Sequence, residues 1–152
     1  MSVHNYSYVG IDPGKSGVIA ISYRRKIIIL PMPLGKDDNL DVVAFLSWLK
    51  TCKFPIIACI EQVWKPVTLV RMAGMLEGLL LCANVQVFRV APSTWRKEIL
   101  DNFSASKQDA IDYCLRTFPD VSLYRTKKSK TYDHNIADAL CIMEYAHRKQ
   151  RV

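Results

Sequence analysis

The chain has 152 residues, half of them hydrophobic, and a formal net charge of +7 at pH 7. That length suits one soluble domain over 1–152 with a substantial core, and excludes a two-lobed architecture. No apolar run nears the ~20 residues needed to cross a bilayer, which excludes a membrane span, and the excess positive charge favours an anionic partner, nucleic acid first.

Residues 6 to 11 and 18 to 23 are β-branched and aromatic runs on either side of Asp12-Pro-Gly14-Lys-Ser-Gly17, and Lys26 to Pro31 follows a basic turn at Arg24 and Arg25. Three such runs in succession predict an antiparallel meander. Asn39 or Asp41 opens a helix that carries Val42, Phe45, Leu46 and Leu49 at helical spacing, and Pro55 introduces a strand over Ile56-Ile-Ala-Cys-Ile-Glu61. A long apolar helix from about Thr68 to Ala83 comes next, then a short strand from Gln86 to Val90 and a polar turn with Ser93 as its candidate cap. A helix from about Ser106 to Phe118 follows, and a last one from about His134 to Arg148. Between them Val121 to Asp133 reads as linker-like, with Arg125, Lys127, Lys128 and Lys130 free of intervening acid. The five cysteines show no Cys-x-x-Cys pair. They read as reduced thiols, mostly at core positions, in a cytoplasmic protein with neither a zinc site nor a disulfide framework.

Three meandering strands, a crossover helix and a fourth strand are the element order of an RNase H-like α/β fold, a mixed sheet flanked by helices. The first and fourth strands are adjacent and parallel in such a sheet. Asp12 and Glu61 are therefore expected to converge at one sheet edge, with Asp138 brought beside them by the final helix. Gly14 and Gly17 would let backbone approach a ligand next to Asp12. Hard oxygen ligands from separate elements suit two magnesium ions about 3.5 to 4 Å apart, which stabilise the attacking and leaving oxygens of a phosphodiester displacement. Singly, each acid has a plainer role as a turn cap, a strand-end surface residue or a first-turn helix acid. Together they point to nuclease or polynucleotidyl-transfer chemistry.

Four blocks in order carry a family resemblance over nearly the whole chain: Val-Gly-Ile-Asp12-Pro-Gly-Lys-Ser-Gly, Ile-Glu61-Gln-Val-Trp64, Val90-Ala-Pro-Ser-Thr-Trp95-Arg-Lys with Ser106-Lys107, and His134-Asn-Ile-Ala-Asp138-Ala-Leu. With these the sequence resembles the small phage-encoded RuvC-type Holliday junction resolvases. The resemblance implies a homodimeric, Mg2+-dependent endonuclease, with two ions per site and Mn2+ as an alternative. It would nick paired strands of a four-way DNA junction and leave 5'-phosphate and 3'-hydroxyl ends.

Asp12, Glu61 and Asp138 would then be metal ligands. The family's fourth ligand lies one helical turn before the last aspartate, where this chain has His134 and Asn135. His134 shares a helix face with Asp138 and is the preferred substitute over Asn135 or Asp133. Trp64, next to Lys65, matches an aromatic near the junction centre and is read as DNA-facing against the alternative of a core residue. Arg96, Lys97 and Lys107 match basic residues near the scissile phosphate, Lys107 foremost. Arg125, Lys127, Lys128 and Lys130 would contact phosphates along a junction arm. Leu69, Val70, Met72, Ala73, Met75, Leu76, Leu79, Leu80 and Leu81 make the helix at about 68–83 apolar around most of its circumference, as a two-fold interface or a fully buried helix requires.

An actin-like kinase would share the Asp12 turn but needs two lobes. Gly14-Lys15-Ser16 resembles the end of a P-loop, yet Val9 stands where that loop needs glycine. Two other readings stay open: an RNase H-like nuclease for RNA or for DNA flaps and forks, as in YqgF-type proteins, and a catalytically silent junction-binding protein.

Overall fold

A computed structural model describes residues 5–102 and 104–150. Its five strands are β1 (Ser7–Asp12), β2 (Val18–Tyr23), β3 (Lys26–Pro31), β4 (Ile56–Glu61) and β5 (Gln86–Val90). They form one mixed sheet in the order β3-β2-β1-β4-β5. The first three strands are the predicted antiparallel meander, and β1–β4 and β4–β5 pair in parallel. Burial follows position in the sheet. Central β1 and β4 are buried at all but their last residue, whereas edge strand β3 alternates exposed and half-buried over its first four residues.

Five helices cover the two faces: α1 (Val42–Leu49), α2 (Val67–Cys82), α3 (Pro92–Leu100), α4 (Lys107–Thr117) and α5 (His134–Gln150). Alternation along the strands sorts the core into two clusters. Val9, Ile11, Ile56, Ala58 and Ile60 pack with Phe45, Leu49, Met72, Ala73, Leu76 and Leu80 of α1 and α2. Tyr8, Ile57 and Cys59 pack with Trp95, Ile111, Cys114, Leu140 and Ile142 of α3, α4 and α5.

α5 lies closest of all to the sheet. A Cβ on Gly10 would stand 2.2 Å from the Met143 nitrogen and 2.3 Å from the Ala139 carbonyl oxygen, so only glycine lets the helix cross β1 there.

Local chemistry sets the helix starts. Asp41, rather than Asn39, caps α1 by accepting a hydrogen bond from the Ala44 amide at 2.9 Å. Ser106 and Asp109 form a reciprocal capping box on α4. Asp133 accepts from the Asn135 amide at 2.8 Å where α5 begins.

Helix α3 corrects the sequence reading, which had a polar turn capped by Ser93. Ala91 is the N-cap, without a side-chain bond, and Pro92 occupies the first turn. Proline is favoured there because the amide it lacks has no intrahelical partner. Trp95 and Ile99, four residues apart, supply the buried stripe that the surrounding Ser, Thr, Arg and Lys conceal.

The cysteines are all free, with Cys59, Cys114 and Cys141 buried and Cys52 half-buried. Cys82 departs from the expected core placement: it lies exposed at the end of α2. Among the described residues no helix is long and apolar enough to cross a membrane.

Candidate active site

Asp12 and Glu61 are the last residues of two adjacent parallel strands. The β1–β4 register runs to Ile11 opposite Ile60, so the two acids stand side by side at the next step. They share a face with Tyr8, Ile57 and Cys59, the face that α5 covers. The meeting place is thus the carboxyl end of two interior strands, not an edge of the sheet. Asp138, 8% exposed, lies one residue before the Ala139 backbone that touches Gly10. The tight crossing of α5 over β1 therefore fixes the third acid beside the first two.

The turn after Asp12 is shaped from within. Gly14 has a positive φ of 136°, and a Cβ on Gly17 would meet the Asp12 carbonyl oxygen at 2.4 Å. Both glycines are demanded by the turn's own backbone, which is a different reason from the ligand approach expected of them. Lys15 turns to Asp38, with which it pairs at 2.6 Å.

Three carboxylates, Asp138 buried and Asp12 and Glu61 half-buried, crowd one corner and resist ionisation together. Burial raises the Asp12 pKa well above the ordinary carboxylate value, and the charges of Glu61, Asp138 and Asp133 add to the effect while Arg125 opposes it. Burial likewise raises Asp138, to about 7, with Glu61 and Asp133 adding and Arg96 and Lys107 opposing. Glu61 is raised by burial and eased back by a hydrogen bond from Trp95 and by Arg96. His134 is lowered by burial and by Lys107 and Arg125, against Asp133. These surroundings favour its uncharged imidazole.

These carboxyl oxygens are the hard donors that Mg2+ and Mn2+ take, and the mutual repulsion of their charges is what a bound cation would relieve. Among the described residues no group of three or more His, Cys, Asp and Glu side chains stands as a ready-made metal cage. Magnesium does not require one, because it keeps several waters and binds through one or two carboxylates plus phosphate oxygens. The carboxyl oxygens of Asp12, Glu61 and Asp138 have the chemistry for a divalent cation shared between protein and substrate, while the charges that act on His134 are those of Lys107, Asp133 and Arg125.

Around the acids, the charges of Arg96, Lys107 and Arg125 act on Asp12, Asp138 or His134. Lys107 is exposed at the first turn of α4. Lys97 turns away to Asp101, 3.1 Å off. Trp64, three residues beyond Glu61, is 69% exposed, and Lys65 beside it is exposed as well. Lys127, Lys128 and Lys130 are exposed in the irregular stretch before α5.

Arg125, grouped with those lysines by sequence, is half-buried and engaged within the protein. Its Nε donates to Asp133, and its Nη2 donates to the Ser16 carbonyl at 2.7 Å, so that it straps the cap of α5 to the Asp12 turn. Sequence reasoning missed this strap, and also the bond from the Trp95 indole to Glu61. A lone large aromatic in a polar stretch, four residues before Ile99, was the available signal for Trp95.

No protein-family model matches the sequence, and no characterised protein resembles it closely enough in sequence to count as a relative. Solved structures do match. The chain is similar to Thermus thermophilus RuvC (16% identity, TM-score 0.59, covering 95% of this chain and 96% of that one). It is similar to the fowlpox virus Holliday junction resolvase (15% identity, TM-score 0.61, covering 95% and 98%). The complex of the fowlpox resolvase with substrate Holliday junction DNA matches at 17% identity and TM-score 0.61, covering 94% and 99%. The fold is the RNase H-like fold of the RuvC-type and poxvirus resolvases.

Proposed function

We propose that this chain is a structure-selective endodeoxyribonuclease that resolves four-way DNA junctions as a homodimer, using Mg2+ or Mn2+. The observation that carries the reading is the convergence of Asp12, Glu61 and Asp138 from β1, β4 and α5 in a corner where their charges oppose one another. The fold shared with two junction resolvases supports the choice of substrate.

Held by Asp12, Glu61 and Asp138, divalent cations would supply Lewis acidity and lower the pKa of a water, two per site by analogy with other phosphodiester hydrolases. The chain's own groups do the rest. Asp12, Glu61 and Asp138 hold the charge that binds the cations. His134, kept neutral by its surroundings, takes a proton from the attacking water at an imidazole nitrogen. Water oxygen bonds to phosphorus as the bond to O3' breaks, leaving a 5'-phosphate and, after protonation from solvent, a 3'-hydroxyl. Lys107 and Arg96 offset the growing negative charge on the phosphoryl oxygens. Trp64 stacks on bases unpaired at the junction centre for about 1 to 3 kcal/mol per base. Lys65, Lys127, Lys128 and Lys130 contact phosphates of the arms, which positions the junction without reading its sequence.

The outer face of α2 supports the dimer. Met72, Ala73, Leu76 and Leu80 are buried against the sheet, while Val67, Val70 and Leu81 lie exposed with Gly74 and Gly78 among them. A second copy of this helix would bury that stripe and place two sites for paired nicks.

The test is cleavage of labelled four-way junction, Y-fork and linear duplex with Mg2+, comparing wild type with Glu61→Gln. Paired nicks confined to the junction, lost in the variant while binding persists, are expected. Tight junction binding without cleavage in Mg2+ or Mn2+ would show a silent binder, and equal cutting of forks would widen the substrate to branched DNA.

A further inference from the structure

We infer that Trp95 is a positioning residue for Glu61: its indole N–H holds one carboxylate oxygen and so dictates which oxygen a divalent cation receives. The inference rests on the reading of Glu61 as a metal ligand. The Trp95 side chain is wholly buried, and its Nε1 donates to Glu61 Oε2 at 2.7 Å. An indole can only donate, and a buried one needs an acceptor. Hydrophobic packing alone would be met by phenylalanine or leucine, whereas this tryptophan points its single polar atom at an acid of the site.

The bond joins elements that are distant in sequence. Glu61 ends β4, and Trp95 lies in the first turns of α3, 34 residues later. The ring has no exposed surface. Its body sits in the cluster formed with Val90, Ile99 and Ala110, and the Arg96 guanidinium lies 5.2 Å from its centroid. A donor so fixed turns a free carboxylate rotor into a group with one committed oxygen. Oε1, which carries no such bond, would be the readier donor to a cation, because Oε2 has already committed a lone pair to the indole. A charge-assisted bond of this kind also favours the ionised form that a cation requires. Groups that hold a metal-binding side chain in this way change metal affinity by about 10- to 100-fold when removed.

Two variants isolate the N–H. Trp95→Phe keeps an aromatic ring in the core. Replacement of Trp95 by β-(3-benzothienyl)alanine keeps the full bicyclic shape and exchanges only N–H for sulfur, so that it folds even if the smaller ring does not.

Mn2+ binding to the DNA-free protein is measured by calorimetry, alongside junction affinity without metal. A Mn2+ dissociation constant raised about 10- to 100-fold, with metal-free junction affinity unchanged, is the expected result. Unchanged Mn2+ affinity in the sulfur variant overturns the inference.

The indole signals of the wild type report the contact without metal. The chain has three tryptophans, and the Trp95 N–H resonance is expected to exchange slowly with solvent and to move in Glu61→Gln. Should the wild type bind no Mn2+ either alone or with junction DNA bound, the metal reading fails by itself, and a Trp95 resonance indifferent to Glu61→Gln would sink the positioning role separately.

Discussion

The two faces of the sheet use glycine in opposite ways. Beneath α5, Gly10 has helix backbone where its side chain would be, and the acid that completes the site sits on the turn that touches it. On the other side, Gly74 and Gly78 of α2 have nothing among the described residues within 4 Å of where a Cβ would stand. The first glycine is explained by packing inside the chain. The other two cost helix stability, about 1 kcal/mol each relative to alanine, with no return inside the chain. That contrast separates a glycine demanded by internal packing from two that internal packing does not demand.

The comparison breaks most visibly at Gly10. Gly10→Ala forces α5 away from β1, and we expect a loss of about 3 kcal/mol or more in urea unfolding, with junction cleavage lost as well. A variant of wild-type stability and activity would show that α5 does not set the site.

Next in size is the response of the acid corner to pH. The folded protein holds Asp138 protonated up to about 7, against 3.8 for the free group. Between those values the folded state binds more protons than the unfolded one, so this stabilising contribution is complete below pH 4 and is lost as pH rises through 7. Without metal, Asp138→Asn should therefore melt higher than wild type at pH 8, by more than about 1 kcal/mol, and show no such gain at pH 4. Added Mg2+ should stabilise the wild type alone, and more at pH 8 than at pH 5. A wild type whose metal-free stability is flat across this range would mean that the corner is not electrostatically crowded.

Smaller effects sharpen the α2 side. Gly74→Ala and Gly78→Ala should each stabilise the monomer by about 1 kcal/mol, because nothing in the chain opposes the added methyl. If two copies approach closely along this helix, the same substitutions weaken the dimer, which sedimentation at falling protein concentration would reveal. Stabilisation with no change in association would remove the glycines from the interface.

The smallest effect belongs to the basic stretch before α5. Lys127→Ala, Lys128→Ala and Lys130→Ala should each weaken junction binding modestly and lower its log–log salt slope by about 1. Arg125→Ala should instead leave that slope alone and slow cleavage, because its guanidinium is committed to Asp133 and Ser16.

Much of the fold was legible because its signals are local. The β-branched runs, the helix starts at Asn39 or Asp41 and at Ser106, the helical apolar spacing of α1 and the apolar run of α2 each lie within one stretch of chain. Helix α3 escaped because its buried stripe is only Trp95 and Ile99 in a polar setting. The three acids were legible as strand-end and helix-start residues, and their order along the chain matched a known arrangement. The roles of Trp95 and Arg125 were not, since neither residue's neighbours in sequence reveal its partner.

The sequence by itself determined the order of the strands and of every helix but α3, the identity of the acids and the positive charge, because periodicity, capping and charge are properties of contiguous residues. Only the tertiary structure decided which oxygen of Glu61 is held, through a bond 34 residues long in sequence, and what Arg125 straps together, through one spanning 109. Such contacts depend on how a sheet brings remote segments to the same corner, and no local pattern encodes that distance.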